Sequence, residues 1–270
     1  MPELPEVETT VRGLATVLEG QVIARVAVNR PDLRRPFPVD LVQALTGARV
    51  TGMGRRAKYG LVHTDRARTM VFHLGMSGRW RIDPEDIGKH DHLVLETAGG
   101  HVLALNDARR FGSVDLVGSD ALDTWGPFAA LGPEPLGEGL TPMHLRAAFR
   151  DRIAAVKLLL LDQRIVAGLG NIYVCEALNR AGIHPERAAG KVSRAALDRL
   201  VPFIREVLEE AIAAGGSTLR DYVQPDGELG YFAKDWRVYG REGEACPCGG
   251  QVQRIVQGGR STFFCARCQK

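Results

Sequence analysis

The sequence predicts an α+β chain of several domains: one N-terminal helix, a β domain, a helical domain and a small cysteine-bearing tail. Three observations predict it. The hydrophobic period is helical at the start, turns short and β-branched over residues 21–118, and returns to helical after residue 142. A stretch dense in Gly and Pro, GPFAALGPEPLGEGLTP at 126–142, separates the two regimes and reads as a linker. Four of the five cysteines fall within 23 residues near the end.

Each element follows in order. Val7, Val11, Leu14 and Leu18 form one stripe of a helix over 5–19, and Gly20 stops it. VIARVAV, ARVTGM, GLVHT, TMVFHL, HLVLET, HVLAL and SVDLV then read as strands, punctuated by Gly, Asp, Asn and Pro. Residues 142–161, 171–181 and 193–214 read as helices, with a further helical stretch at 217–223. Ser193 caps the third helix and Gly215-Gly216 ends it. Residues 237–270 return to short strands around the cysteines. The expected domains are 1–125, a linker at 126–142, a helical domain at 143–235, and a tail at 236–270.

Composition limits the function classes. At 45% hydrophobic residues, the 270-residue chain can bury a sizeable core, so wholesale disorder is excluded. No apolar run approaches the roughly 18 residues of a membrane span. The start, MPELPEVE, carries three glutamates and no apolar core, so no secretory signal is expected and the protein is placed in the cytoplasm. The net charge of +3 is unevenly spread. Residues 25–68 hold nine arginines and Lys58 against three aspartates, a net of +7. Residues 237–270 add +4, which leaves −8 for the remainder. Two basic segments on an acidic chain fit a polyanion surface. Solvated surface arginines are the plainer alternative.

Cys246, Cys248, Cys265 and Cys268 have the spacing of a structural zinc site that thiolates saturate. A disulfide or free-thiol tail is the alternative. The first pair is Cys-Pro-Cys, one residue shorter than the usual knuckle. Cys175 stands apart and reads as a small buried hydrophobe. Arg260, in QGGRSTFF at the hairpin's tip, is placed to grip a phosphate or to be solvated.

Met-Pro at the start has a chemical reading and a structural one. Removal of Met1 exposes Pro2 as a secondary amine, whose α-amino pKa near 8 leaves a useful unprotonated fraction. Such an amine attacks electrophilic carbon and forms an iminium, with Glu3 beside it to pass protons. Proline is equally a common helix entry.

These signals converge on a family. MPELPEVET, RRAKY at 55–59, HLGMSG at 73–78, KHDH at 89–92 and DARRFG at 107–112 resemble the formamidopyrimidine-DNA glycosylases. So do LGPEPL at 131–136, GLGNIY at 168–173, AGIHP at 181–185 and the cysteine tail. The blocks run in order over the whole chain. The resemblance implies an N-terminal helix on a two-sheet β-sandwich, a helical domain with a helix–two-turns–helix motif, and a C-terminal β-hairpin zinc finger. DNA would lie in the cleft between domains. It implies a monomeric base-excision enzyme that removes 8-oxoguanine and formamidopyrimidines and then cuts the strand by β,δ-elimination. One structural zinc ion per chain and no organic cofactor are expected. The DNA partner makes the nucleoid its expected location.

Residue by residue, the resemblance makes Pro2 the nucleophile, Glu3 the acid and Glu6 a support of the same pocket. Lys58 becomes the β-elimination donor and Arg260 the δ-elimination donor. His90, Arg109, Arg152 and Asn171 become DNA contacts. Met76, Arg109 and Phe111 fill the void left by an extruded nucleotide, and Arg109 faces the orphaned cytosine. Core packing is the plainer reading of Met76 and Phe111. Cys246, Cys248, Cys265 and Cys268 become the zinc ligands, and 217–235 a lesion-binding loop. Endonuclease VIII, the related enzyme for oxidised pyrimidines, lacks this Met/Arg/Phe arrangement. A non-catalytic damage-binding relative is at odds with keeping Pro2, Glu3 and Lys58 together. An N-terminal-proline tautomerase would lack the cysteine tail.

Overall fold

A computed structural model describes residues 2–217, 225 and 232–270. The chain forms two compact units, residues 1–129 with 212–233, and residues 130–211 with 234–270. The helix expected at 217–223 lies outside the described residues but for Ser217, and so do 218–224 and 226–231 of the expected 217–235 loop.

The first unit begins with helix α1 (Leu4–Leu18). Its stripe of Val7, Val11, Leu14 and Leu18 is buried as the spacing requires. Eight strands follow: β1 (Ile23–Val28), β2 (Val50–Arg56), β3 (Tyr59–Thr64), β4 (Arg68–His73), β5 (Arg79–Ile82), β6 (Asp91–Thr97), β7 (Val102–Asn106) and β8 (Ser113–Gly118). They form two antiparallel four-stranded sheets, ordered β1-β6-β7-β5 and β2-β3-β4-β8. Helix α1 packs on β2, β3 and β5. Its stripe joins one core with Met70, Phe72, Trp80, Leu93, Leu95, Leu103 and Leu105. The two-sheet architecture expected from the resemblance is therefore present.

Two elements escaped the reading of period. Helix α2 (Leu41–Leu45) is a single turn and a half, too short to show one. Strand β5 reads RWRI, with arginines at two of four positions. It is held by Trp80, which is buried edge-on to Phe72 at 5.6 Å, and by Arg81, whose Nη1 donates to Asp91 Oδ2 at 2.7 Å. Short α3 (Gly126–Ala129) sits at the start of the Gly/Pro-rich stretch.

The second unit contains α4 (Pro142–Phe149), α5 (Val156–Leu160), α6 (Asn171–Ala181) and α7 (Arg194–Ala213), whose last two residues belong to the first unit. One expected helix over 142–161 is in fact two. Arg150 leaves the helical region, and Asp151 takes φ +58°. Residues 152–155 then pair in extended fashion: Gly190 N donates to Arg152 O, Ala189 N donates to Ala154 O, and Ala155 bridges Ala188. Periodicity within the segment cannot register a partner 35 residues away. Ser193 does cap α7, accepting from Ala196 N at 3.2 Å, and Gly215 and Gly216 both take positive φ just past its end. The chain closes in an antiparallel hairpin, β9 (Gln253–Gln257) and β10 (Arg260–Phe264). Its two-residue turn, Gly258-Gly259, has φ of +54° and +73°, the handedness that matches strand twist.

Candidate functional site

In the first unit, Pro2, Glu3 and Glu6 are all buried at the head of α1. Glu3 is the N-cap, and a reciprocal capping box joins it to Glu6. Glu6 Oε2 accepts from Glu3 N at 2.8 Å. Its other oxygen accepts from Ser217 N at 2.8 Å, so one carboxylate ties the N-terminal turn to the segment that follows α7. Lys58 lies in the two-residue turn between β2 and β3, with its side chain largely buried.

Met76, Arg109 and Phe111 sit on two adjoining loops, 74–78 and 107–112. Asp107, itself buried, stitches these loops together: Oδ1 accepts from Ser77 Oγ at 2.8 Å and Oδ2 from Gly112 N at 2.8 Å. Ser77 Oγ in turn accepts from Arg109 N at 3.3 Å. Met76 and Phe111 are 37% and 43% exposed, which settles against the core reading for both. The Arg109 guanidinium lies 4.8 Å over the Phe111 ring, a cation–π contact that orders the two groups against each other. His90 joins through its backbone, its carbonyl accepting from Asp107 N. The KHDH loop around it is held by buried Asp91, which accepts from Arg81, Gly88 N and Asn106.

Gly75 has a steric reason to be glycine. Its φ is +63°, and a Cβ there would stand 2.3 Å from the Phe111 carbonyl carbon. Gly75→Ala should destabilise the fold by more than about 2 kcal/mol, since left-handed strain adds to backbone overlap. If the loop pair meets DNA as the resemblance implies, affinity for a lesion duplex should fall at least tenfold with it. Urea unfolding and duplex titration check both, and unchanged affinity would remove this loop pair from the binding surface.

Beside Phe111, a cavity of about 370 Å³ is lined by Arg34, Arg35, Tyr59, His73 and Ser113. Burial, with Lys58, Arg34 and Arg35 nearby, holds the His73 imidazole down to about 4, so it is neutral at physiological pH. Its Nδ1 accepts from Gly75 N at 3.0 Å, which leaves the proton on Nε2. In the sequence this histidine is marked only as the first residue of the HLGMSG block.

In the second unit the Asn171 side chain and the hairpin meet. Asn171 opens α6, and its Nδ2 donates to Ser261 O at 2.8 Å and to the Tyr239 hydroxyl at 3.4 Å. Lys157, fully buried, donates from Nζ to Thr262 Oγ1 at 2.6 Å and to Ser261 O at 3.4 Å. The Ser261–Thr262 peptide, one residue past Arg260, is thereby fixed, while the Arg260 side chain stays exposed. Arg260 is not at the turn's tip: it is the first residue of β10, paired with Gln257. Arg152 lies apart from this cluster, exposed on the 150–155 connection, where its charge helps hold the Asp162 carboxyl down after Arg164.

Three positioning residues carried no sequence signal. Glu176, fully buried on α6, accepts from the backbone N–H of Arg237, Val238 and Tyr239. Gln163 staples the turn before Asn171, donating to Leu161 O and Leu169 O and accepting from Gly168 N. Lys157 is the third. The LGPEPL block meets that same turn: a Cβ on Gly132 would lie 2.7 Å from the Arg164 and Ile165 backbone.

The cysteines settle their own alternatives. The Sγ atoms of Cys246, Cys248, Cys265 and Cys268 lie within 4.8 Å of one another, and all four thiols are free. The closest pairs are 3.5 and 3.8 Å apart, too far for disulfides. Tetrahedral zinc with Zn–S bonds of about 2.3 Å would place its sulfurs about 3.8 Å apart. The donor set therefore fits one structural zinc ion, with no open position for chemistry. Gly250 N donates to Cys248 Sγ at 3.4 Å and holds that thiol down to about 7, whereas burial pushes Cys246 and Cys268 up. The shortened Cys-Pro-Cys knuckle closes because Gly249 takes φ +78° and Gly250 lacks a Cβ, which would sit 2.7 Å from Cys265 Sγ. Cys175 is buried against Cys246 and Cys265, as a small hydrophobe should be.

Comparison with known proteins points to one family. Residues 1–114 match the formamidopyrimidine-DNA glycosylase N-terminal domain, 131–223 the H2TH domain of the same enzymes, and 243–270 the zinc finger found in FPG and IleRS. The formamidopyrimidine-DNA glycosylase of Novosphingobium aromaticivorans is 83% identical over all 270 residues, covering both chains fully. A Lactococcus lactis FPG variant solved with Fapy-dG DNA superposes with a TM-score of 0.92 at 36% identity, both chains fully covered. The wild-type Lactococcus lactis protein solved with DNA containing an oxidised pyrimidine gives 0.91 at 36%, again over both full chains. No helix among the described residues is long and apolar enough to cross a membrane. With a full-length relative at this identity and family models over most of its length, the chain belongs to the formamidopyrimidine-DNA glycosylase family.

Proposed function

We propose that this chain is a base-excision DNA glycosylase and abasic-site lyase that releases oxidised purines from duplex DNA, with Pro2 as its nucleophile. One observation carries the reading: Pro2 and Glu3 are buried together at the head of a capped helix. The damaged nucleotide leaves the stack, because C1′ is unreachable inside it. Pro2, freed of Met1, attacks C1′, the C1′–base bond breaks with its electron pair leaving on the base, and the proton that the Pro2 nitrogen gives up neutralises the released base. Glu3 protonates O4′ as the sugar ring opens, which gives an iminium between Pro2 and C1′. That cation acidifies C2′. Loss of the C2′ proton and breakage of the C3′–O3′ bond then release the 3′ phosphate, in β-elimination.

Lys58 stabilises and protonates the departing phosphate, and Arg260 does the same for the second, δ-elimination. His90, Arg152 and Asn171 hold DNA phosphates, so affinity should fall steeply with salt. Met76 and Phe111 occupy the space left by the extruded nucleotide, and Arg109 addresses the orphaned base. A DNA substrate supports a location with nucleoid DNA in the cytoplasm. A second substrate class, oxidised pyrimidines, is favoured by the Lactococcus lactis complex with such DNA.

Borohydride trapping on a duplex with 8-oxoguanine opposite cytosine tests the reading. A covalent adduct mapped to the peptide beginning at Pro2 is the expected result. No adduct on either an oxidised-purine or an oxidised-pyrimidine duplex, from protein lacking Met1 and holding zinc, would overturn it.

A further inference from the structure

The turn that carries Lys58 is held from an unexpected direction. Strands β2 and β3 end at the pair Arg56–Tyr59, so Ala57 and Lys58 alone form the connection. Ala57 takes φ +52° and is buried, a constrained geometry for a residue with a side chain. One residue before the last pair, Arg55 turns its guanidinium back over the connection. Nη1 donates to Ala57 O at 2.8 Å, and that carbonyl belongs to the peptide joining Ala57 to Lys58. Nε donates to Glu8 Oε2 at 2.9 Å. Glu8 is on α1, five residues past Glu3, or about 8 Å along the helix axis. The other oxygen of Glu8 takes Arg12, whose side chain is 64% exposed, whereas that of Arg55 is only 9% exposed. Arg55 is thus the desolvated member of this network, where geometry and energy are both most demanding.

We propose that Arg55, seated on Glu8, is the positioning residue that sets Lys58 relative to Pro2 and Glu3. Its planar fork reaches the catalytic helix with one nitrogen and the Lys58 peptide with another. A lysine offers a point charge on a flexible stem and cannot hold both acceptors in fixed geometry. The inference rests on Lys58 acting in β-elimination. It goes beyond that reading by naming what makes the lysine's position accurate. In the proposed reaction the chemistry of base release falls to Pro2 and Glu3 and that of strand scission to Lys58, so the two reaction steps should respond differently.

The test separates them under single turnover on an 8-oxoguanine duplex. Free base is measured by chromatography. Strand scission is compared with and without alkali, which cleaves every abasic site. Arg55→Gln and Arg55→Lys should slow β-elimination at least tenfold in the single-turnover rate constant at saturating enzyme, with the half-saturating enzyme concentration and base release each within about threefold of wild type. Glu8→Gln should follow with a smaller loss. If Arg55→Gln does not fold, Arg55→Lys keeps the charge and the stem, and Glu8→Gln keeps the volume. Proportionate loss in both steps marks a merely structural role and overturns the proposal, as does no loss in either. Lys58→Ala is the reference. If it eliminates normally, the reading of Lys58 fails and takes the proposal with it. If Lys58→Ala is defective while the Arg55 variants eliminate normally, the proposal alone fails.

Discussion

Glu3→Gln is expected to lower base release by about 10²–10⁴-fold, the span that a positioned general acid supplies. The substitution keeps the shape of the side chain and an oxygen able to accept from the backbone, so the capping box around Glu3 and Glu6 persists in form. What is lost is the proton for O4′ and the negative charge facing the cationic intermediate. Neither is needed to bind an abasic-site duplex, so that affinity should stay within a few-fold. Burial sharpens the effect. Glu3 is almost fully shielded from solvent, so water is poorly placed to substitute as proton donor. Single-turnover base release against duplex titration separates the two quantities. Base release within threefold of wild type would remove Glu3 from the chemistry and leave it as a helix cap. Tight binding with no turnover would identify it as the acid.

The parts of this site that were legible in sequence are those whose meaning is local. Pro2 and Glu3 are neighbours in the chain, so their chemistry could be argued before any fold existed. The cysteine spacing pointed to zinc for the same reason, because two short knuckles must chelate one ion. The strands of the first unit showed themselves because β-branched runs bury side chains in place. What stayed hidden depends on partners far away in the chain. Arg55 reads as one basic residue in a basic segment until Glu8, 47 positions earlier, is found beneath it. Glu176 reads as a polar break in an apolar helix until three backbone N–H groups from 237–239 converge on it. Lys157 reads as a surface charge within an apolar run, yet it is fully buried against β10. The split of 142–161 into two helices has the same origin, since residues 188–190 impose it. The resemblance supplied roles for single residues, but it named none of these supports.

Removal of zinc should have the other large effect, and it should act through the hairpin. Two five-residue strands bury too little to fold alone, and an isolated two-stranded hairpin is marginal in water. The apolar cluster beneath them is built largely from the thiols themselves: Cys246 and Cys265 pack with Cys175, Val238 and Val252. Metal binding of this class contributes about 10–16 kcal/mol in small zinc domains, far more than such a cluster supplies. Its loss would spread along identifiable bonds. Ser261 O holds Asn171 and Lys157, and Thr262 Oγ1 holds the buried Lys157 ammonium, which would be left without that partner. At the end of α6, Lys270 pairs with Gly182 and His184, and Gln269 reaches Ile183 O, so the AGIHP segment would loosen too. Chelation should therefore release one zinc ion per chain and weaken binding to an abasic-site duplex at least a hundredfold. The β-rich first unit should keep its circular dichroism, because its core contains no part of the hairpin. Arg260→Ala in the zinc-loaded protein separates the metal's structural work from the arginine's chemistry. It should leave the fold and most β-elimination intact while suppressing δ-elimination. A metal-free protein that binds and cleaves at the wild-type rate would show that thiol packing alone holds the hairpin, and the zinc site would then have no part in function.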